Sequence, residues 1–129
     1  MTNDERRNIE HDCARLVAAY ANRNDAADWE GVAALFDEAG RFARPAAPDV
    51  WIEGREAILA AYRSRPARAT RHLCTNIVID VLSADEATGE SAMALYLSPA
   101  DVKLGTFHDR FVRTVEGWRF AERRGSLIF

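Results

Sequence analysis

The feature that most constrains this chain is a change of hydrophobic period at Thr70. Before it, apolar residues recur at helical spacing; after it, they alternate. Strand side chains point to opposite faces in turn, whereas helical ones return to one face every three or four residues. The first half therefore predicts helices and the second a run of long strands. Strands are expected at roughly 70–82, 88–97, 104–115 and 117–126, with turns at Ser83–Glu86, Ser98–Asp101 and Val115–Gly117. Helices followed by such a meander give an α+β arrangement, the helices covering one face of a mainly antiparallel sheet.

The first helix starts at Thr2, which has the spacing of a capping box with Glu5. Ile9, Cys13, Leu16, Val17 and Tyr20 form its apolar stripe. Asparagines at 22 and 24 should end it, leaving Asp25 just beyond. A second helix is expected to begin with Asp28 as its cap, to carry Trp29, Val32, Ala33, Leu35 and Phe36 inward, and to finish near Ala39–Gly40. Short extended pieces at Arg41–Ala43 and Trp51–Ile52 flank a Pro/Ala-rich loop. Gly54 to Glu56 then opens a third helix, with Ile58, Leu59, Ala61 and Tyr62 on its buried face.

A length of 129 residues predicts one domain, residues 1–129, large enough for a real core. A net charge of −3 gives no footprint for nucleic acid or an anionic membrane. The charged N-terminus lacks the apolar core of a signal peptide, and no apolar run reaches the ~20 residues of a membrane span. A cytoplasmic protein is expected. Cys13 and Cys74 have no metal-type spacing and read as buried small hydrophobes. No His/Cys/carboxylate cluster has metal-ligand spacing and no glycine-rich phosphate loop is present, so neither metal nor cofactor is expected.

Alternation through the first strand puts His72, Cys74, Asn76, Val78 and Asp80 on one face. Arg71, Leu73, Thr75, Ile77, Ile79 and Val81 take the other. The first face, polar at its start, suits the mouth of a ligand pocket; Ile77, Ile79 and Val81 suit a subunit interface. The basic run Arg119, Arg123 and Arg124 is interleaved with acids and reads as a solvated strand face. Trp29 and Trp118 read as core.

Several pieces, in order, carry a family resemblance: Tyr20 to Asp25, Asp28-Trp29, Leu35-Phe36, Gly54 to Ile58, Thr70 to Asn76, Phe107 to Arg113 and Gly117 to Arg119. Together they cover nearly the whole chain, which resembles the SnoaL-like, polyketide-cyclase-like branch of the nuclear transport factor 2 superfamily. The resemblance implies a cone of three N-terminal helices on a curved, mainly antiparallel sheet of NTF2-like, cystatin-like type, enclosing a deep pocket in a homodimer or homotrimer. Within that branch it is nearest the scytalone dehydratase, bile-acid 7α-dehydratase and hexachlorocyclohexane dehydrochlorinase lyases. Asp25 and His72 match their aspartate–histidine positions, and Tyr20 a pocket tyrosine. Ketosteroid isomerase-type sites place a carboxylate just before a proline; Arg44 before Pro45 argues against that base here.

A histidine oriented by a carboxylate is a general base that can take a proton from carbon. His72 would be the base, Asp25 its orienter and Tyr20 a helper at the developing negative charge. His108 and Asn76 are further candidate donors, and Arg113 a candidate for a negative leaving group. His108 and Arg113 fall on opposite faces of their strand, so only one can point inward without a bulge, and the family pattern favours Arg113. Trp51 and Phe42 complete the expected substrate lining. The expected function is a cofactor-independent lyase, isomerase or cyclase for a small organic substrate. The alternative is a ligand-binding or assembly module, such as the small subunit of ring-hydroxylating dioxygenases.

Overall fold

Thr2 caps the first helix, α1 (Asn3–Asp25), by accepting the Glu5 N–H at 3.0 Å. The predicted stripe lies buried along it: Ile9, Cys13, Leu16, Val17 and Tyr20. Helix α2 (Trp29–Ala33) is short, and α3 (Arg55–Arg63) follows later with Ile58 and Tyr62 buried. The computed structural model describes all 129 residues. Six strands complete it: β1 (Phe36–Ala43), β2 (Trp51–Glu53), β3 (Arg71–Val81), β4 (Glu86–Ser98), β5 (Asp101–Thr114) and β6 (Gly117–Leu127). They form one mixed sheet in the order β2-β1-β6-β5-β4-β3, antiparallel except where β1 meets β6. The architecture is α+β, and the four long strands lie close to their expected bounds. No helix is long and apolar enough to cross a membrane.

The second helix departs from expectation. It stops at Ala33, and Phe36 begins a strand instead of extending a helical face to Gly40. Pairing with the far end of the chain decides this. Phe36 lies opposite Phe120, and the Phe120 N–H bonds the Leu35 carbonyl at 2.9 Å. A Cβ at Gly40 would stand 2.9 Å from the Phe120 carbonyl oxygen, so only glycine admits this approach.

Two bulges decide which side chains face inward. The β3–β4 register shifts between Thr75 and Val78, with Asn76 at φ 53. An extra residue inverts the alternation beyond it. His72 and Cys74 therefore share the inner side with Ile77, Ile79 and Val81, while Val78 and Asp80 turn outward. The proposed interface of Ile77, Ile79 and Val81 is thus overturned; they pack on the core. The second shift lies between β5 and β6: Arg110 pairs with Glu122 but Phe111 with Phe120, leaving Ala121 over. Trp118 and Phe120 point inward before this bulge and Arg123 after it. Arg123 is fully buried, not a solvated strand residue.

Between helices and sheet, α1 packs Cys13, Leu16 and Val17 into one end of the core. The other end is aromatic. Tyr20 meets the rings of Phe36, Phe42, Phe107 and Phe120 at centroid distances of 5.7–6.5 Å. Burying each such ring contributes about 1.5–3 kcal/mol, so this end is a closely packed aromatic wall behind the cavity described next.

Candidate active site

How α1 stops determines where Asp25 stands. The Asp28 N–H returns to the Arg23 carbonyl at 2.9 Å and the Ala27 N–H to that of Asn24 at 3.0 Å. This is a Schellman closure, with Ala27 at φ 54 in the left-handed position glycine usually fills. Such a conformation costs a non-glycine residue about 1–2 kcal/mol. The helix therefore runs through Asp25, one residue beyond its predicted end, and delivers that side chain to the start of β3.

The Asp25 carboxylate is 9% exposed and accepts three hydrogen bonds. The Thr70 hydroxyl donates to Oδ1 at 3.0 Å, and the His72 backbone N–H to Oδ2 at 2.8 Å. His72 Nδ1 lies 2.6 Å from Oδ1. A carboxylate only accepts, so this contact assigns the proton to Nδ1 and leaves the Nε2 lone pair free. Burial pushes the His72 imidazole below its ordinary pKa; the hydrogen bond and charge of Asp25 oppose this, and Arg123 and Arg65 reinforce it. The balance favours the neutral imidazole.

His72 opens on a cavity of about 550 Å³, a size that suits a small organic molecule. Tyr20, Phe42, Met93, Leu95 and Phe107 give it an apolar interior, and Trp29 lines one side. Trp29 is thus a cavity residue that also stacks on Tyr62 at 5.2 Å. The hydroxyls of Tyr20 and Tyr62 are hydrogen-bonded to each other, and Asn24 Nδ2 donates to Tyr62 at 3.3 Å. Burial pushes both phenols above their ordinary range, so both keep their protons.

Behind Tyr20 lies the Arg123 guanidinium, 4.3 Å from that ring, 3.8 Å from Phe107 and 4.8 Å from Phe120. Its Nε is 3.5 Å from Asp109 Oδ1. No hydrogen bond reaches the guanidinium nitrogens or either Asp109 oxygen. The pair is an ion contact walled by aromatic faces, not a hydrogen-bonded fork. Burial pushes the Asp109 carboxyl up to about 6 against the pull of Arg123. Arg123 also acts through space on Tyr20 and His72, whose charged forms it favours and disfavours respectively.

The structure brings His72, Asp25, Tyr20 and Phe42 together, with Asp25 behind His72. The other expected lining residues lie elsewhere. Asn76 sits exposed at the β3 bulge, spent on its positive φ. His108 points to the outer sheet face, into a shallow groove with Trp51 and Arg110. Trp51 lies there beneath the Arg41 guanidinium, 3.9 Å from it, and not at the cavity rim. Arg113 is exposed near the far end of β5, over the Trp118 ring at 5.4 Å. On that strand Phe107, Asp109 and Phe111 face inward, and Arg113 does not follow them.

Thr70, Asn24, Tyr62, Asp109 and Arg123 were not singled out by sequence for this site. Tyr62 had a signal, its place on the buried stripe of α3; Arg123 had none, because the Ala121 bulge inverts its face. No three His, Cys, Asp or Glu side chains converge as a metal-ligand set. Cys13, pushed up to about 12 by burial, is an inert thiol.

No curated protein matches the sequence. Many solved structures share the fold, among them the following three. A provisionally named scytalone dehydratase from Novosphingobium aromaticivorans is 24% identical, with a TM-score of 0.86 over 99% of this chain and 89% of that one. An NTF2-like protein with a cystatin-like fold from the same organism is 23% identical, TM-score 0.80, covering 92% and 80%. A hexachlorocyclohexane dehydrochlorinase, LinA type 2, is 15% identical, TM-score 0.85, covering 99% and 90%. The sheet and helices are thus of the NTF2-like, cystatin-like type. The SnoaL-like domain pattern matches residues 5–124, and the chain belongs to that family.

Proposed function

We propose that this protein is a cofactor-independent lyase or isomerase that removes a proton from carbon in a small, largely apolar organic substrate. The observation that carries the reading is the 2.6 Å contact between His72 Nδ1 and a buried carboxylate, on the wall of an apolar cavity. His72 Nε2 takes the proton, the C–H pair becomes the new double bond or enolate, and any leaving group departs with its own pair. Asp25 holds the Nδ1–H and stabilises the imidazolium that forms. Tyr20 donates to the developing negative charge. If Asn24 donates to Tyr62 and Tyr62 to Tyr20, the Tyr20 proton is left to point into the cavity. The base supplies ~10²–10⁴-fold and one such donor ~10²–10³-fold. A dehydrochlorinase and a provisionally named scytalone dehydratase on this fold support an elimination.

Those names set the first trial substrates: scytalone and hexachlorocyclohexane, joined by ring ketones with a hydroxyl or halide β to the carbonyl. Elimination by the unmodified protein should fall at least ~10²-fold in His72→Gln, with the fold retained by circular dichroism. Rates unchanged in His72→Gln would remove the base from the scheme.

A further inference from the structure

We propose that the ligand of this cavity carries an anionic group, a carboxylate or a phosphate, held at the mouth by Arg44, Arg65, Arg68 and Lys103. Its apolar body then reaches inward to His72. This rests on reading the cavity as a substrate site and adds the charge class of the substrate.

Of the 20 residues lining the cavity these four are cationic and none is acidic; Asp25 stands behind His72, outside the lining. The chain as a whole is net acidic, at −3, so a lining of one sign is not background. None of the four is in an ion pair with protein. The outer sheet face is the contrast. There Arg41 and Arg110 share Glu122 at 2.8 and 3.2 Å, and Arg124 holds Asp49 at 3.0 Å.

The four cations come from three separate segments around one opening. Arg44 directly follows β1, Arg65 and Arg68 sit between α3 and β3, and Lys103 is near the start of β5. Arg44 Nε is buried with no acceptor. A buried donor without an acceptor is costly, and a charge-assisted bond to an anion is the strongest answer to it. The Arg65 guanidinium lies over the Tyr62 ring at 4.2 Å. That contact engages the guanidinium through the ring and not through its N–H groups. A neutral apolar ligand would fill the interior and leave these donors unanswered; an amphiphilic anion satisfies both regions.

Calorimetric titration with naphthalene-2-carboxylate, 2-naphthyl phosphate and the neutral naphthalene-2-carboxamide tests this. At low ionic strength at least one of the anions should bind on the order of tenfold tighter than the amide. Added salt should shrink the difference. In the quadruple variant Arg44→Gln, Arg65→Gln, Arg68→Gln, Lys103→Gln the preference should largely disappear while amide affinity holds. A tighter carboxylate points to free acids and a tighter phosphate to phosphate-bearing carriers; either supports the proposal. Amide binding equal to both anions by the unmodified protein overturns it. His72→Gln separates the two readings: anion preference should survive there even though the base is gone, and its loss would move the anion from the mouth to His72.

Discussion

Replacing Asp25 by Asn changes one atom type, and its consequences can be worked from three hydrogen bonds. Oδ2 accepts the His72 backbone N–H, while Oδ1 accepts both the Thr70 hydroxyl and the His72 Nδ1–H. An asparagine keeps its oxygen on the backbone N–H and presents NH₂ to the other two. Thr70 can rotate its hydroxyl and accept. Nδ1 can accept only by giving up its proton, which sends the imidazole to the Nε2–H tautomer. The lone pair then faces the substituted amide in place of the cavity, and the base is lost. In serine-protease triads the equivalent error of tautomer costs about 10⁴ in kcat, and a fall of ~10²–10⁴ is expected here. Loss of the charge-assisted bonds should cost about 1–3 kcal/mol of stability. Asp25 also raises the His72 pKa, against the stronger lowering by burial. Without it the folded-state value drops further below the unfolded one. A histidine depressed in this way gives stability that is full above its unfolded pKa, about 6.5, and is lost as pH falls through the folded value. The acid loss should therefore be larger in the variant. Long-range ¹H–¹⁵N spectra of the His72 ring report tautomer and titration together. An Nδ1–H tautomer persisting in Asp25→Asn, with an unmoved titration, would refute the reasoning.

Perturbations at three other places test the supports of the site. Arg123→Met alone should destabilise by about 3–5 kcal/mol by stranding the buried Asp109, whereas the double change with Asp109→Leu should recover most of it, read by urea melts. Asp109 binds its proton up to about 6, not 3.8, so its contribution is full below the unfolded value and lost as pH rises through about 6; Asp109→Asn should flatten that part of the pH–stability profile. Ala27→Gly should stabilise by up to ~1 kcal/mol by relieving φ 54, measured by thermal melting. Asn76→Val, at φ 53, should cost about 1–3 kcal/mol, with Asn76→Gly near neutral.

What the sequence discloses and conceals here follows from how far its information reaches along the chain. The stripe from Ile9 to Tyr20, the change of period at Thr70 and the position of His72 are each readable because a few neighbouring residues set them. The early end of α2 is not, because Leu35 and Phe36 fit a helix locally and a strand only once Phe120 arrives from the far end of the chain. The bulges are the deeper obstacle. Strict alternation holds only while the register does, and a single extra residue reverses every face beyond it. One such residue sends Asn76 outward and turns Ile79 into the core; the other buries Arg123 beneath Tyr20. Those two inversions belong to the site's construction. The bulge in β3 lets a polar His72 and an aliphatic Ile79 share one inner face along a strand whose sequence alternates otherwise. The bulge in β6 brings a positive charge under the wall that carries Tyr20, where three ring faces and one carboxylate are its only neighbours of opposite potential. An arginine so placed favours a phenolate at Tyr20 and opposes an imidazolium at His72. Both effects point the same way: they favour a neutral imidazole at His72, as the proposed base requires, and they offset part of the cost of negative charge beside Tyr20.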